Sequence, residues 1–246
     1  MKHSLLKDNL RGIYYIILKD MRSYYFKPPA ISWGMVFPIA WISAFYLRNP
    51  SSFTELVPGL IAMSILFSTS AAEATVINFE IRYGSFERLL LAPVSVPAIL
   101  FGKILGGAFF GLMMTTIITI SSVLLFDLQP SILYLILMII PSLLVFATLS
   151  ALLCVAVKEV MDAQILMNLP RFVMVFLSGV IYPVANMPDV LQYIAYLLPL
   201  TYTINGLQEA FSVSQNSHML INFFILTLFL IIFLIPAVKL LRRKFE

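Results

Sequence analysis

Charge is what this chain has least of. Only 11% of its 246 residues are Asp, Glu, Lys or Arg, where a soluble domain usually carries about 25%. Apolar residues make up 61%, so there is too little polar material to cover a water-soluble globule of this size. The one cysteine, Cys154, lies inside an apolar run, which excludes an intrachain disulfide and a thiolate metal cluster. The two histidines, His3 and His218, fall outside the apolar runs, so no pair can hold zinc or haem within one. HExxH, GxSxG, a paired-aspartate motif and a GxxxxGK(S/T) phosphate loop are all missing. The chain is therefore expected to be no enzyme, to bind no cofactor, and to leave any ATP hydrolysis to another subunit. No nucleic acid is expected among its partners.

What the chain has is long uncharged runs. Residues 28–47, 56–72, 104–126, 128–157, 172–188, 190–208 and 219–238 contain no Asp, Glu, Lys or Arg. A membrane helix needs roughly 20 mostly apolar residues. Alternation of the barrel kind is lacking, and helices satisfy their own backbone hydrogen bonds in lipid. The fold class is an all-α membrane protein.

Basic residues fix the orientation, because Lys and Arg favour the cytoplasmic side. Lys2, Lys7, Arg11, Lys19, Arg22, Lys27, Arg82, Arg88, Lys158, Lys239, Arg242, Arg243 and Lys244 all land inside if both ends are cytoplasmic and the number of crossings is even. Only Arg48 then lies outside. Run 190–208 is therefore not a crossing: polar residues interrupt it, and it suits a short helix at or dipping into the outer face, broken by Pro199. Six spans follow, at about 31–47, 57–77, 98–126, 132–156, 165–184 and 219–238, within one transmembrane domain of residues 1–246. The first 27 residues show no cleavable signal pattern, so the first span is expected to insert uncleaved.

Residues 1–30 are expected to form a cytoplasmic amphipathic helix lying at the interface, with Leu6, Leu10, Ile13, Ile17 and Tyr24 as its stripe, ended by Pro28 and Pro29. Three charges fall inside spans: Glu73, Lys103 and Arg171. Such residues are costly and often functional. All three are expected at a similar depth near the inner end. Spans two and three are antiparallel neighbours, so Glu73 is expected to face Lys103, with Arg171 joining them or each snorkelling separately.

The inner loop 78–97 reads NFEIRYGSFERLLLAPVSVP. Gly84 permits a tight entry, Ser85–Leu91 is long enough for about two helical turns, and Ser95 with Pro97 suits the start of the next helix. A short helix between two spans is a lever, since a partner gripping it moves both; a capped connecting loop is the plainer alternative.

The order Glu80, Arg82, Gly84, then Glu87-Arg88-Leu89-Leu90, Ala92-Pro93-Val94-Ser95 and Gly102-Lys103 resembles the type-2 ATP-binding-cassette exporter permeases. So does Leu177-Ser178-Gly179-Val180-Ile181-Tyr182-Pro183, followed by Pro188 and by Leu198-Pro199-Leu200-Thr201-Tyr202. Leu198 stands where that family often has Asn. The resemblance covers nearly the whole chain. It implies a permease pairing with itself, or with a paralogous permease, and with two cytoplasmic ATP-binding subunits that carry ATP-Mg. It implies that 84–94 is the coupling helix, with Glu80, Arg82, Gly84, Glu87, Arg88, Leu89, Leu90, Pro93 and Val94 at the joint. It implies an outer re-entrant hairpin over 185–218, with Pro183, Pro188, Pro199, Thr201 and Tyr202 at the gate. It also implies export of a hydrophobic drug, lipid or lipid-linked glycan from the cell. A proton-coupled carrier and a non-transport scaffold are the rival readings.

Overall fold

The computed structural model describes residues 2–48, 53–157, 160–212 and 218–245; the side chains of some helical positions, among them Leu6, Glu73, Arg82, Glu87 and Leu90, lie outside the described set. Every regular element among the described residues is helical. The order is α1 (Lys2–Asp20), α2 (Pro28–Ile31), α3 (Phe37–Arg48), α4 (Phe53–Arg82), α5 (Ser85–Leu90), α6 (Val96–Phe126), α7 (Ile132–Ala156), α8 (Val160–Leu177), α9 (Asp189–Tyr196), α10 (Pro199–Phe211) and α11 (His218–Phe245). Val96–Phe126, Ile132–Ala156 and His218–Arg243 are long and apolar enough to cross a membrane. The other expected spans contain shorter apolar helical stretches, Gly34–Ala44, Thr54–Ser70 and Ile165–Leu177.

Helix α4 is the centre of the bundle. It packs on α6, α7 and α8 and on the chain leading into α3. Helix α11 packs along α7, and α10 is wedged against α7, α11 and α4. Large apolar side chains remain exposed on outward faces: Phe101, Phe109 and Leu124 on α6, Leu169 and Phe176 on α8, Phe224, Leu228 and Ile232 on α11. Lipid accepts such faces where water does not.

Prolines shape the entry to α3. Pro38 has no N–H and its ring crowds the carbonyl four residues back, that of Gly34. A widened π turn, Ser32–Val36, precedes it, the usual device for absorbing such a clash. The carbonyl that Pro38 cannot serve is taken by α4, where the Ser64 hydroxyl donates to Gly34 O at 3.3 Å. Pro28 opens α2 rather than merely closing α1, which runs on through a second π turn, Met21–Tyr25. Helix α8 stops at Leu177, short of the expected end at 184, and Gly179 there has φ +90°.

The segment after α8 folds as a helical hairpin. Its motif residues donate to carbonyls at the end of α9, where the regular helical ladder stops. Pro199 sits in the first turn of α10, where its missing N–H costs nothing. Two and three residues on, the Thr201 hydroxyl donates to Ala195 O at 2.6 Å and the Tyr202 hydroxyl to Tyr196 O at 2.8 Å. Thr203 Oγ1 meets Ser142 Oγ of α7 at 2.9 Å, and Ser131 N–H donates to Ala210 O at 2.9 Å. Pro188 stands as the N-cap of α9 and Pro183 as that of a single 3-10 turn, Val184–Asn186.

Thr201→Val keeps the shape and removes one of the two donors to the buried Ala195 carbonyl, leaving the Leu198 N–H at 3.0 Å, so it should destabilise by about 0.5–1.5 kcal/mol. Tyr202→Phe should cost less, because water reaches that bond. Thermal unfolding of the purified variants in detergent checks the order; equal losses would show that the two hydroxyls do not differ in this way.

Candidate functional site

At one end of the bundle α1 lies across α6 and brings two cations and two carboxylates together. Lys103 of α6 is fully buried, as are Asp20 at the end of α1 and Glu80 near the end of α4. Its ammonium donates to both Asp20 oxygens, at 3.0 and 2.8 Å. It stands 2.5 Å from Glu80 Oε2, an ion contact outside hydrogen-bond angles. Lys19, which is partly exposed, pairs with Glu80 Oε1 and lies 3.4 Å from Asp20. The four charges sum to zero, which is the condition for burying them at tolerable cost. Burial pushes the Asp20 carboxyl up from its usual range, Lys103 pulls it back, and Glu80 adds to the rise.

Helix α1 reaches this position because its contact face fits α6. Ile16 and Asp20 sit one turn apart on that face, with Met21 and Tyr25 continuing it. Tyr25 stacks on Phe110 of α6 at 5.2 Å between ring centres. Gly12 allows a close approach: a methyl group there would sit 2.6 Å from the Val94 side chain. Asn9 accepts from Ser95 N–H at 2.9 Å, so α1 also holds the start of α6. Together α1 and the 92–94 turn enclose a cavity of about 690 Å³ lined by Arg11, Lys19, Arg22, Leu89 and Pro93. The stripe expected from sequence is rotated. Leu10 is exposed, and Ile13, Ile17 and Tyr24 are half-buried.

The α4–α5 turn uses Gly84 at φ +67°, a conformation other residues adopt at a cost. Helix α5 is six residues long. Leu89 is half-buried against the core, while Arg88, Tyr83, Leu91 and Pro93 project outward. Leu91 is 87% exposed, the most open large apolar side chain among the described residues.

Arg171 stands apart from this cluster. It lies eleven residues past the start of α8, about 16 Å along the axis. It is 2% exposed. Nε donates to Ser70 Oγ at 3.0 Å and Nη1 to Asn168 Oδ1 at 2.9 Å, and the guanidinium carbon is 5.0 Å from the Phe67 ring centre. At the other end of the bundle, Asn205, Gln208, Glu209, His218 and Asn222 line a polar cavity of about 400 Å³. Burial pushes the Glu209 carboxyl up, opposed by His218.

Residues 11–212 match the family model described as ABC-2 type transporter. The chain belongs to the ABC-2 type transporter family. It is 26% identical over 189 residues to "Inner membrane transport permease YadH" of Escherichia coli K12, covering 76% of this chain and 74% of that protein. The same protein in Escherichia coli O157:H7 and in Shigella flexneri matches equally. The chain is thus a membrane transport permease of the ABC-2 kind, with multiple apolar helices.

Several ABC-2 site expectations are redistributed by the geometry. Lys103 is engaged by Asp20 and Glu80; the side chain of Glu73, its expected partner, lies outside the described residues. Glu80 is buried in that cluster and so is no surface contact. Arg171 is in a separate environment, meeting α4 at Ser70 where Lys103 meets it at Glu80. The side chains of Arg82, Glu87 and Leu90 lie outside the described residues. Asp20, Tyr83 and Leu91 went unnoticed in the sequence. A signal for Asp20 existed: the stripe 6, 10, 13, 17, 24 skips one step, and Asp20 fills it.

The cluster predicts a compensating pair. Lys103→Met leaves one excess buried negative charge and Asp20→Asn one excess positive charge, each expected to cost about 3–5 kcal/mol. The double variant is neutral again and should lose markedly less than the sum. Thermal unfolding across the double-mutant cycle measures this; strict additivity would remove the pair.

Proposed function

We propose that this chain is the membrane-spanning subunit of an ATP-driven exporter of a hydrophobic or amphipathic cargo. It works in the cell membrane with two cytoplasmic ATP-binding subunits and with a second copy of itself or a paralogous permease. The six apolar helical stretches are its spans, both ends are cytoplasmic, and α1 lies along the inner surface. Helix α5 with its flanks, Gly84 to Val94, is the coupling helix. The α9–α10 hairpin, with Pro183, Pro188, Pro199, Thr201 and Tyr202, caps the outer end of the pathway. The chain itself is not the enzyme; ATP-Mg belongs to the partner subunit.

The observation that carries this reading is the mechanical joint at the α5 end. A lever works only if what it pushes moves as a unit. The Lys19–Asp20–Glu80–Lys103 cluster ties α1, α4 and α6 together, and Asn9 and Gly12 clamp α1 to the turn after α5. Beside this rigid core, Tyr83, Arg88, Leu91 and Pro93 present an open patch with one charge and apolar bulk. Central apolar residues with a polar rim are what a protein partner binds.

Tagged permease should recover an ATP-binding subunit. Leu91→Glu places a charge at the patch centre and should lower that recovery by roughly tenfold or more, the usual scale for a hot-spot residue. Arg88→Glu should reduce it less. Efflux should persist when the proton gradient is collapsed and stop when ATP is depleted. Failure to recover any ATP-binding subunit, with efflux abolished by the collapsed gradient, would instead identify a proton-coupled carrier.

A further inference from the structure

Arg171 is the one described cation in the bundle interior whose charge is not met by a carboxylate. Lys103, also fully buried, has two. No carboxylate among the described residues lies within ion-pair distance of Arg171. Two arms of the guanidinium are occupied by neutral oxygens, of Ser70 and Asn168. The third, Nη2, is buried and has no hydrogen-bond partner. A buried guanidinium with an open donor is costly, several kcal/mol for the charge alone, and such residues inside membranes mark sites by default.

Phe67 lies against the guanidinium. From Phe67 a continuous ladder of rings runs outward: Phe67 to Phe37 at 4.6 Å, Phe37 to Trp41 at 5.7 Å, and Trp41 to Phe176 at 5.8 Å. Phe67 is fully buried and Phe176 is 52% exposed on the outward face of α8. The ladder therefore links the buried cation to the apolar exterior along α3, α4 and α8. The site pairs an unfilled guanidinium nitrogen with a chain of contacting rings that ends on the exposed face of α8.

We propose that Arg171 is the acid-recognition point of the permease, and that its cargo is an anionic amphiphile. One oxygen of the cargo's carboxylate or phosphoryl head takes Nη2, and the hydrocarbon or aromatic body lies along Phe67, Phe37, Trp41 and Phe176. Ser70 and Asn168 act as positioning residues that hold the fork with Nη2 free. This deepens the exporter reading and rests on it for the word cargo; the binding site itself does not need the ATP-binding subunit and is tested without it.

Full-length permease carrying Trp33→Phe, so that Trp41 is the sole tryptophan, is placed in phosphatidylcholine nanodiscs. Trp41 fluorescence is quenched with bromododecanoate, bromododecanesulfonate and bromododecanamide at matched bilayer concentrations. Both anions should quench at roughly tenfold lower concentration than the amide, the scale of one charge-assisted hydrogen bond. Arg171→Gln should bring the three together, and Arg171→Lys should keep a reduced preference. In the unsubstituted Arg171 protein, lowering pH through the titration of the carboxylate probe should erase its advantage while the sulfonate keeps its own. This arm stands even if Arg171→Gln does not fold. Acetate or inorganic phosphate should not displace the probes, which separates an amphiphile site from one for small free anions. Equal potency of amide and anions, a preference undiminished in Arg171→Gln, or displacement by acetate or phosphate would overturn the proposal. Loss of ATP-binding-subunit recovery would overturn the exporter reading alone.

Discussion

The Lys103 ammonium has no exposed surface, and a bare ammonium in such a place would cost several kcal/mol. Its position is tolerable only because Asp20 and Glu80 reach it from two other helices. Asp20 comes from α1, which lies outside the bundle proper, so α1 cannot be a loosely floating anchor. Once it is pinned there, Ile16 settles against α6, Tyr25 stacks on Phe110, and Asn9 and Gly12 hold the turn after α5. Lys19 then balances the second carboxylate at the surface. A neutral four-charge knot thus sets the placement of the whole α1–α4–α6 end, and with it the rigidity behind the exposed Leu91 and Arg88.

A second constraint works at the ends and breaks of helices, where carbonyls lose their partners. Pro38 withdraws the donor for Gly34 O, and a serine of the neighbouring helix replaces it. At the end of α9 the Thr201 hydroxyl joins the Leu198 N–H on Ala195 O, and the Tyr202 hydroxyl donates to Tyr196 O. In an apolar medium each open carbonyl is expensive. The Pro-Leu-Thr-Tyr sequence is therefore a self-capping turn: proline starts one helix and the next hydroxyls finish the previous one.

Helix content was legible because length without charge has one main physical explanation in lipid. Ile132–Ala156 matches its expected bounds, and α5 falls within the expected Ser85–Leu91. Ends set by backbone geometry were less visible: α8 stops seven residues early, at the turn that contains Gly179. The charge partners were the least legible. Asp20 reaches Lys103 from 83 positions away through the docking of α1, a pairing that adjacency of spans does not suggest. The packed face of α1 runs through Ile16, Asp20, Met21 and Tyr25, not through the apolar stripe of Leu10, Ile13, Ile17 and Tyr24. Which face of α1 packs depends on Gly12 and on the groove of α6, and neither is a property of α1's own hydrophobic pattern.

Lys103 and Arg171 show how burial of the same sign of charge leads to opposite ends. Lys103 is compact, can be surrounded, and is met by the carboxylates of Asp20 and Glu80, so that it links α6 to α1 and α4. Arg171 is broad and forked, and the described protein spends only neutral acceptors on it, leaving its charge intact and one donor open. A structural cation gains nothing from an uncompensated charge, whereas a recognition cation requires it, because a resident carboxylate would have to be displaced before any anion could bind. The position fits this division. The compensated charge sits at the bundle end beside the proposed coupling helix, and the uncompensated one sits in the bundle interior, beside a chain of contacting rings that reaches the exposed face of α8.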